Sequence, residues 1–482
     1  MNYNFDLIVI GSGPGGQKSA VQAAKLGKKV ALIEEYSAVG GGCVYFGTLP
    51  SKSFRESVYR WASRSQGTLG LELSLDGASS GSTSSSDSNE RPSMQRLLKR
   101  KERVVKNEAK IVFDQLNRNG VKIFHGRGRL TDKNTVEIVS LQADKKNEKI
   151  TAEIIILATG SRSSHPAHIL IDGKKVLDSN TILDLKEVPS SMIVIGGGII
   201  GAEYASMFSM AHTKVYLVDI RPQILSSVDQ EIVSCLTERF ESQGMELVLN
   251  VEVKKIISPK DLSQPVQVEL SNGRTLEADV ALISLGRAGN TVGLGLEEVG
   301  VDVDERGHIK VNAGYQTSVP NIYAVGDVIG RPALASTSME QGRLACCHAF
   351  AIEGGYCANP FQLFPFGIYT IPEIAYIGQT EEELKEKKTP YVSGVARFKE
   401  LARGQIVGDR WGMLKMLVDP KSGKLLGVHI VGHGAANLIH VGQAVMLLGG
   451  DVHYFVQNVF NYPTFAEAYK TAALAASNKL SS

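Results

Sequence analysis

One pattern constrains this chain more than any other: an apolar run, a glycine-rich turn and a small-residue helix, written twice. Leu7–Ile10 leads into Gly11-Ser12-Gly13-Pro14-Gly15-Gly16, and Met192–Ile195 leads into Gly196-Gly197-Gly198-Ile199-Ile200-Gly201. The residues beyond predict a helix (Gln17–Leu26 and Ala202–Met210) and then a second strand (Val30–Ile33 and Val215–Val218). With connections this short, each copy is a βαβ unit. In such a turn the first glycine permits the tight bend and the second lets a pyrophosphate approach the backbone. The third lets the helix pack on the strand. Unpaired N–H groups and the dipole at the helix start, around Pro14 and Gly15 or Ile199, favour the phosphate charge. Two units imply two dinucleotide-binding domains, and 49 glycines in 482 residues fit many close backbone approaches.

The end of each second strand carries the next signal. Glu34, followed by Glu35, closes the first unit, where a carboxylate accepts hydrogen bonds from a ribose diol. Asp219 closes the second unit, but Arg221 stands two residues on. An acid there favours NAD and repels a 2′-phosphate, whereas an arginine does the reverse. The second site therefore carries both signals, and the choice between NAD and NADP stays open at this point.

The remaining composition narrows the class. Lys+Arg 52 against Asp+Glu 50 leaves a net charge of +2, which argues against nucleic acid as a partner. Five scattered cysteines do not form a secreted disulfide framework, and Cys346-Cys347 lacks a second CxxC, so packing is expected there and no metal. The N-terminal residues lack a basic segment followed by an apolar one, and the longest stretch free of charged residues, Leu425–Gly450, carries six glycines and three histidines. A cytoplasmic protein without a membrane span is expected. Ser74–Ser93 is too polar to bury and reads as a mobile loop, and Met94–Leu116 as a basic surface helix. The last third alternates β-like runs (Ile368–Ile371, Gly412–Val418, Leu425–Val431) with helix-like ones (Glu382–Lys387, Ala435–Leu448, Thr464–Ala476), an α+β pattern.

The stretch Gly40-Gly41-Gly42-Cys43-Val44-Tyr45-Phe46-Gly47-Thr48-Leu49-Pro50-Ser51-Lys52 resembles the active-site segment of the FAD-dependent pyridine nucleotide–disulfide oxidoreductases. Ala158-Thr159-Gly160-Ser161, Gly286-Arg287 and Ala324-Val325-Gly326-Asp327 are similar to further motifs of that family, so the resemblance spans nearly the whole chain. It implies an α/β fold with two Rossmann-like domains, for FAD and NAD(P), plus a C-terminal α+β dimerisation domain. The expected division is an FAD domain in two parts (1–155 and 286–348), an NAD(P) domain (156–285) and an interface domain (349–482). It also implies that Gly42, Cys43, Thr48, Thr159, Gly160, Gly286, Gly326 and Asp327 contact FAD, with Asp327 on the ribityl chain. Lys52 and Glu203 would form an ion pair beside the flavin.

Two departures decide the expected activity. Cys43 stands where the family has its first redox cysteine, but Thr48 occupies the place of the second, and a hydroxyl cannot form a disulfide. The family's His-Pro-x3-Glu appears as Tyr462-Pro463-Thr464-Phe465-Ala466-Glu467, replacing an acid–base group that titrates near neutrality with a phenol. Both changes remove the disulfide half-reaction and leave hydride exchange with nicotinamides. Asn461–Tyr469 and the Cys43–Thr48 spacing are similar to the Si-specific soluble transhydrogenase branch of the family. That resemblance implies hydride transfer from NADPH to NAD+ through bound FAD in a homodimer or higher oligomer, with Tyr462 and Glu467 lining the partner's flavin pocket. An NAD(P)H oxidase or diaphorase, and a non-catalytic FAD- and NADH-binding redox sensor, fit the same residues and stay open here. Direction of flux and any role for Cys43 or the Ser-rich loop are not specified by the sequence.

Overall fold

The computed structural model describes residues 3–65, 91–142, 146–352 and 363–480. The chain divides into two compact units, one comprising residues up to Ser53, Leu98–His165 and the stretch from Gly286, the other Phe54–Leu97, Pro166–Leu285 and the stretch from Phe361. Of the segment expected to form the mobile loop, Ser74–Ser93, residues 74–90 lie outside the described residues.

In the first unit, a parallel sheet runs in the order Lys122–His125, Val30–Glu34, Phe5–Ile10, Glu148–Leu157, Ile322–Ala324. All five residues of Val30–Glu34 are buried, as expected of a parallel strand covered on both faces. Glu148–Leu157 is long enough to serve two neighbourhoods. Its outer half pairs antiparallel with Thr135–Val139, and its inner half pairs with Phe5–Ile10 in a register from Phe5 opposite Ala152 to Ile10 opposite Leu157. The helix Pro14–Lys25 lies against Ala335–Ala349 so closely that a Cβ on Gly342 would sit 2.2 Å from the Gly15 carbonyl.

The second unit repeats the theme with five parallel strands: Glu246–Val248, Lys214–Val218, Ser191–Ile195, Val280–Ile283 and Val176–Asp178. A three-stranded meander (Val253–Ile257, Val266–Leu270, Thr275–Ala278) follows. The C-terminal part is an antiparallel sheet of Phe366–Ile368, Ile374–Gly378, Leu425–Val431, Met413–Val418 and Val392–Arg397, covered by the helices Ala435–Leu447 and Glu467–Leu480. The fold is thus α/β with two Rossmann-like parts and a C-terminal α+β part. Among the described residues, no helix is long and apolar enough to cross a membrane.

Several elements differ from their sequence-based boundaries; the second glycine-turn helix, expected from Ala202, begins at Ile199. The first helix begins at Pro14 instead of Gln17, because proline at the first helical position needs no N–H partner. The last helix begins at Glu467 and not at Thr464, and runs on to Leu480. The β-like run Ile368–Ile371 is a strand only up to Ile368. Beyond it the backbone turns to side chains: Tyr369 N–H donates to Glu203 Oε1 at 2.8 Å and Ile371 N–H to Ser206 Oγ at 3.2 Å. Arg55 donates to the Thr370 carbonyl, and ladder pairing gives way to this side-chain pairing.

Candidate functional site

The two glycine turns share one geometry, and it explains their sequence. Gly11 and Gly196 take φ of +103° and +105°, and a Cβ on either would press on the carbonyl oxygen of Ala158 or Ser284 at 2.4 or 2.5 Å. Gly16 and Gly201 are closed more tightly: a Cβ would lie 1.9 Å from the Gly11 or Gly196 carbonyl, which lets each helix seat on its strand. The middle glycines, Gly13 and Gly198, face open space, with nothing within 4 Å of a Cβ position. Each is the N-cap of a helix, Pro14–Lys25 or Ile199–Met210, whose first turn carries no acid and no side-chain cap. Such an end, open and without a negative side chain, is suited to a phosphate.

Around the first turn the structure gathers the expected residues of the first unit. Glu34 Oε2 accepts from Ser12 N–H at 2.9 Å and from the Ser12 hydroxyl, and Oε1 accepts from Tyr36 N–H at 2.9 Å. Ser12 Oγ in turn accepts from Gly40 N–H at 2.8 Å. A Cβ on Gly41 would collide with Gly13 Cα at 2.6 Å, so the segment bearing Gly42 and Cys43 lies directly on the first glycine turn. Glu35 is exposed and takes no part in this network.

Cys43 lies in the short helix Gly41–Tyr45, and Thr48 opens the helix Thr48–Ser65 that carries Lys52. Burial pushes the Cys43 thiol up; a hydrogen bond from the Thr48 hydroxyl pulls it down, Asp327 and Glu108 raise it, and Lys52 lowers it. The balance is upward, so the thiol is kept protonated and is a weak nucleophile. Lys52 Nζ lies 3.4 Å from Ser51 Oγ.

In the same unit, Asp327 Oδ2 accepts from Ser161 Oγ at 2.8 Å, and Arg287 Nε donates to the same hydroxyl at 2.7 Å. Gln341, buried, holds Gly326 N–H at 2.8 Å. Thr159 and Gly160 are fixed through Asn290: the Thr159 hydroxyl donates to the Asn290 carbonyl at 2.7 Å, and Asn290 N–H donates to the Gly160 carbonyl. Gly286 has φ +133° and leads into the strand Arg287–Gly289, which pairs with Ser161–Ser163. Sequence reasoning did not find Arg287, Gln341 and Asn290 as supports, because each acts through a partner far away in the chain.

In the second unit, Asp219 and Arg221 do not act separately. The guanidinium grips the carboxylate through Nε to Oδ1 at 2.9 Å and Nη2 to Oδ2 at 2.6 Å. Glu203, buried in the helix Ile199–Met210, is engaged with Tyr369 as described above. The supporting Arg55, which pairs with Glu373 at 3.2 Å, carried no local signal. Tyr462 is 74% exposed, and Glu467 Oε2 accepts from Thr464 N–H at 3.3 Å across its own turn.

A brace of charge links the start of the helix Gln230–Ser242 to the C-terminal sheet. Lys415, 1% exposed in a strand buried at all six positions, reaches Asp229 Oδ1 at 2.9 Å, Glu231 Oε2 at 3.3 Å and Glu381. Asp229 is also the N-cap of the helix Gln230–Ser242. Among the described residues, no group of three His, Cys, Asp or Glu side chains could hold a metal ion.

Comparison with known proteins extends this geometry to the whole chain. A soluble pyridine nucleotide transhydrogenase of Mycobacterium bovis is 46% identical over 478 residues, covering 99% of this chain and 98% of that one. One from Yersinia enterocolitica is 42% identical, with 99% of each chain covered. Among solved structures, LpdA of Mycobacterium tuberculosis superposes with a TM-score of 0.85 at 27% identity over 97% of this chain and 99% of that one. The HOCl-induced flavoprotein disulfide reductase RclA of Escherichia coli gives a TM-score of 0.84 at 25% identity over 97% and 99%. The family model described as pyridine nucleotide-disulphide oxidoreductase matches residues 5–342, and that family's dimerisation domain matches residues 364–473. With both nucleotide turns, the cysteine segment and the C-terminal sheet accounted for, the chain belongs to the pyridine nucleotide-disulphide oxidoreductase family.

Proposed function

We propose that the chain is an FAD-dependent transhydrogenase that moves hydride from NADPH to NAD+, its nicotinamide substrates taking turns at one site. FAD, when bound, supplies a two-electron carrier that accepts hydride from one nicotinamide and returns it to the other. The first unit fits it: Gly13 is open, the helix start at Pro14–Gly16 is free of acid, and Glu34 is held for a ribose diol. In this reading Gly11, Gly13, Gly15, Gly16, Glu34 and Glu35 hold the adenosine and phosphates. Gly42, Cys43, Thr48, Thr159, Gly160, Gly286, Gly326 and Asp327 hold the rest. Gly196, Gly198, Ile199, Gly201, Asp219 and Arg221 receive the nicotinamide dinucleotide. The four-part division into FAD, NAD(P), FAD and interface segments belongs to the same proposal.

The observation that carries this reading is the hydroxyl of Thr48 bonded to Cys43 where disulfide exchange needs a second sulfur. Hydride exchange asks no proton of the protein, so a phenol at Tyr462 is no handicap. The chain's own task is positioning and electrostatics. In this reading Lys52 supplies a fixed positive charge where negative charge gathers, and Glu203, 4% exposed and anchored by Tyr369 N–H, is the acid expected to balance it. The matched dimerisation domain supports a homodimer, in which exposed Tyr462 and half-buried Glu467 would complete the partner's pocket. Free thiols at Cys43 and Cys235 suit a reducing, cytoplasmic compartment.

The test is an anaerobic assay with NADPH and thio-NAD+ on the yellow protein. Rapid formation of thio-NADH is expected, faster than oxygen uptake in a parallel aerobic run. Oxygen uptake that outpaces exchange would favour the oxidase reading, and brisk turnover of lipoamide or glutathione disulfide would reject the proposal.

A further inference from the structure

Past the end of the strand Phe366–Ile368, consecutive residues give their backbone groups to side chains, and those side chains come from two helices. On the helix Ile199–Met210, Glu203 Oε1 accepts from Tyr369 N–H at 2.8 Å, and one turn on Ser206 Oγ accepts from Ile371 N–H at 3.2 Å. The Ser206 hydroxyl donates in turn to the Glu203 carbonyl at 2.8 Å. Between these N–H groups, the Thr370 carbonyl accepts from Arg55, on the helix Thr48–Ser65, through Nε at 3.2 Å and Nη2 at 3.1 Å. Thr370 is fully buried, so this carbonyl has exchanged water for a fork of charged N–H donors.

The head of Arg55 is itself tied down. Its Nη2 reaches Glu373 Oε1 at 3.2 Å, with the side chains 11% and 15% exposed. Glu373 Oε2 accepts from Ala436 N–H at 3.3 Å in the first turn of the helix Ala435–Leu447. The Thr370 carbonyl and the Ile371 N–H belong to one planar peptide unit, so Arg55 and Ser206 grip the same rigid plate from its two edges. A plate fixed at both edges limits where the Tyr369 N–H next to it can sit, and that N–H orients the Glu203 carboxylate.

Holding the two helices together is a separate task with a separate contact. Phe54 and Phe208, both fully buried, meet with ring centroids 5.4 Å apart and supply the apolar seam between the helices. The polar grip therefore governs something finer than cohesion.

We propose that Arg55 is a positioning residue for hydride transfer: by holding the Thr370–Ile371 peptide it sets the Tyr369 N–H that aims Glu203. Its action runs through Glu203 and through no contact of its own with a coenzyme. The inference rests on the proposed reading in placing Glu203 beside the reacting groups.

The experiment is a double-mutant cycle on the purified holoenzyme, read in anaerobic stopped flow as the limiting rate of flavin reduction by NADPH and its apparent Kd. Arg55→Met should lower the limiting rate about tenfold and leave the Kd within about threefold, because a misaimed Glu203 disturbs the reacting geometry and not the coenzyme's grip. Arg55→Lys, which keeps the charge but not the fork, should recover part of the loss. With Glu203→Gln already in place, adding Arg55→Met should slow reduction by less than about twofold, since its route is then gone. Ser206→Ala releases the other edge of the plate and leaves Arg55 and Glu373 paired. It should show a smaller loss with the same dependence on Glu203, and it carries the test if Arg55→Met does not fold. Equal slowing in both Glu203 backgrounds, or a change confined to Kd, overturns the proposal. The thio-NAD+ assay is scored separately. The expected coupling without thio-NADH formation keeps the positioning role and rejects the transhydrogenase reading; rapid exchange with equal slowing in both backgrounds does the opposite. A flavin that NADPH does not reduce rejects both.

Discussion

The two glycine turns are built alike almost atom for atom, yet their acids keep different company. In both, the first glycine carries positive φ, the middle one is open, and the third would clash at 1.9 Å with the first. Around the first turn the acid is locked into backbone and serine, and a further segment, Gly40–Cys43, is stitched on top. Around the second, the acid is held by a half-exposed arginine. A turn covered by its own chain suits a group that stays; a turn guarded by one movable side chain suits a group that comes and goes. In the proposed reading the same glycine pattern receives a phosphate in both turns, and the contacts around it separate a resident group from an exchanging one.

The sharpest way to break this comparison is to close each turn in turn. Gly16→Ala and Gly201→Ala each force a Cβ onto a backbone carbonyl. Gly16→Ala should yield protein without yellow colour, or none folded. Gly201→Ala should keep its flavin absorbance while NADPH oxidation falls at least about a hundredfold, as expected when a ligand is displaced by about an ångström. Flavin lost from both variants alike would erase the distinction.

The next effect tests whether the second turn depends on the C-terminal sheet. Lys415→Met leaves Asp229, Glu231 and Glu381 without their shared cation, a loss of about 3–5 kcal/mol expected for a broken buried pair and readable by denaturant unfolding. The acid limb follows from the same cluster. Burial would raise Glu381, but hydrogen bonds from Lys415, Tyr391 and Lys385 bring it down from 4.5 to about 2. Its folded value lies below its unfolded one, so its contribution is complete above pH 4.5 and is lost as the pH falls toward about 2. In the Lys415→Met protein that acid dependence should flatten; an unchanged profile would assign it to other carboxylates.

Smaller again is Lys52→Met, expected to slow flavin reduction by NADPH at least about tenfold in stopped flow, with NADPH binding unmoved. An unaltered rate removes the electrostatic role. Least of all, Cys43→Ser should leave thio-NAD+ exchange within about twofold, because burial keeps that thiol protonated and poorly nucleophilic.

Much of this was legible in the chain because glycine turns, strand-end acids and the Cys43–Thr48 spacing are local. Gly11, Gly16, Gly196 and Gly201 are glycines for reasons that a strand–turn–helix alone dictates. What stayed hidden is non-local. The run Ile368–Ile371 has strand-like residues, but Glu203, Ser206 and Arg55 capture its backbone groups from elsewhere in the sequence. Asp219 and Arg221 were visible as opposing signals, whereas their union is a matter of side-chain geometry that spacing does not report. Lys415 is one charge in an otherwise apolar strand, and only the packing reveals the three acids around it.

The seating of Gly41 on Gly13 has a bearing on how such a chain can change its chemistry. Because the cysteine-bearing stretch doubles as the lid of the phosphate cradle, it is not free to be trimmed once its sulfur is idle. A lineage abandoning thiol exchange would keep the scaffold and alter single atoms on it, which makes Thr48 the cheapest retirement open to an enzyme of this architecture.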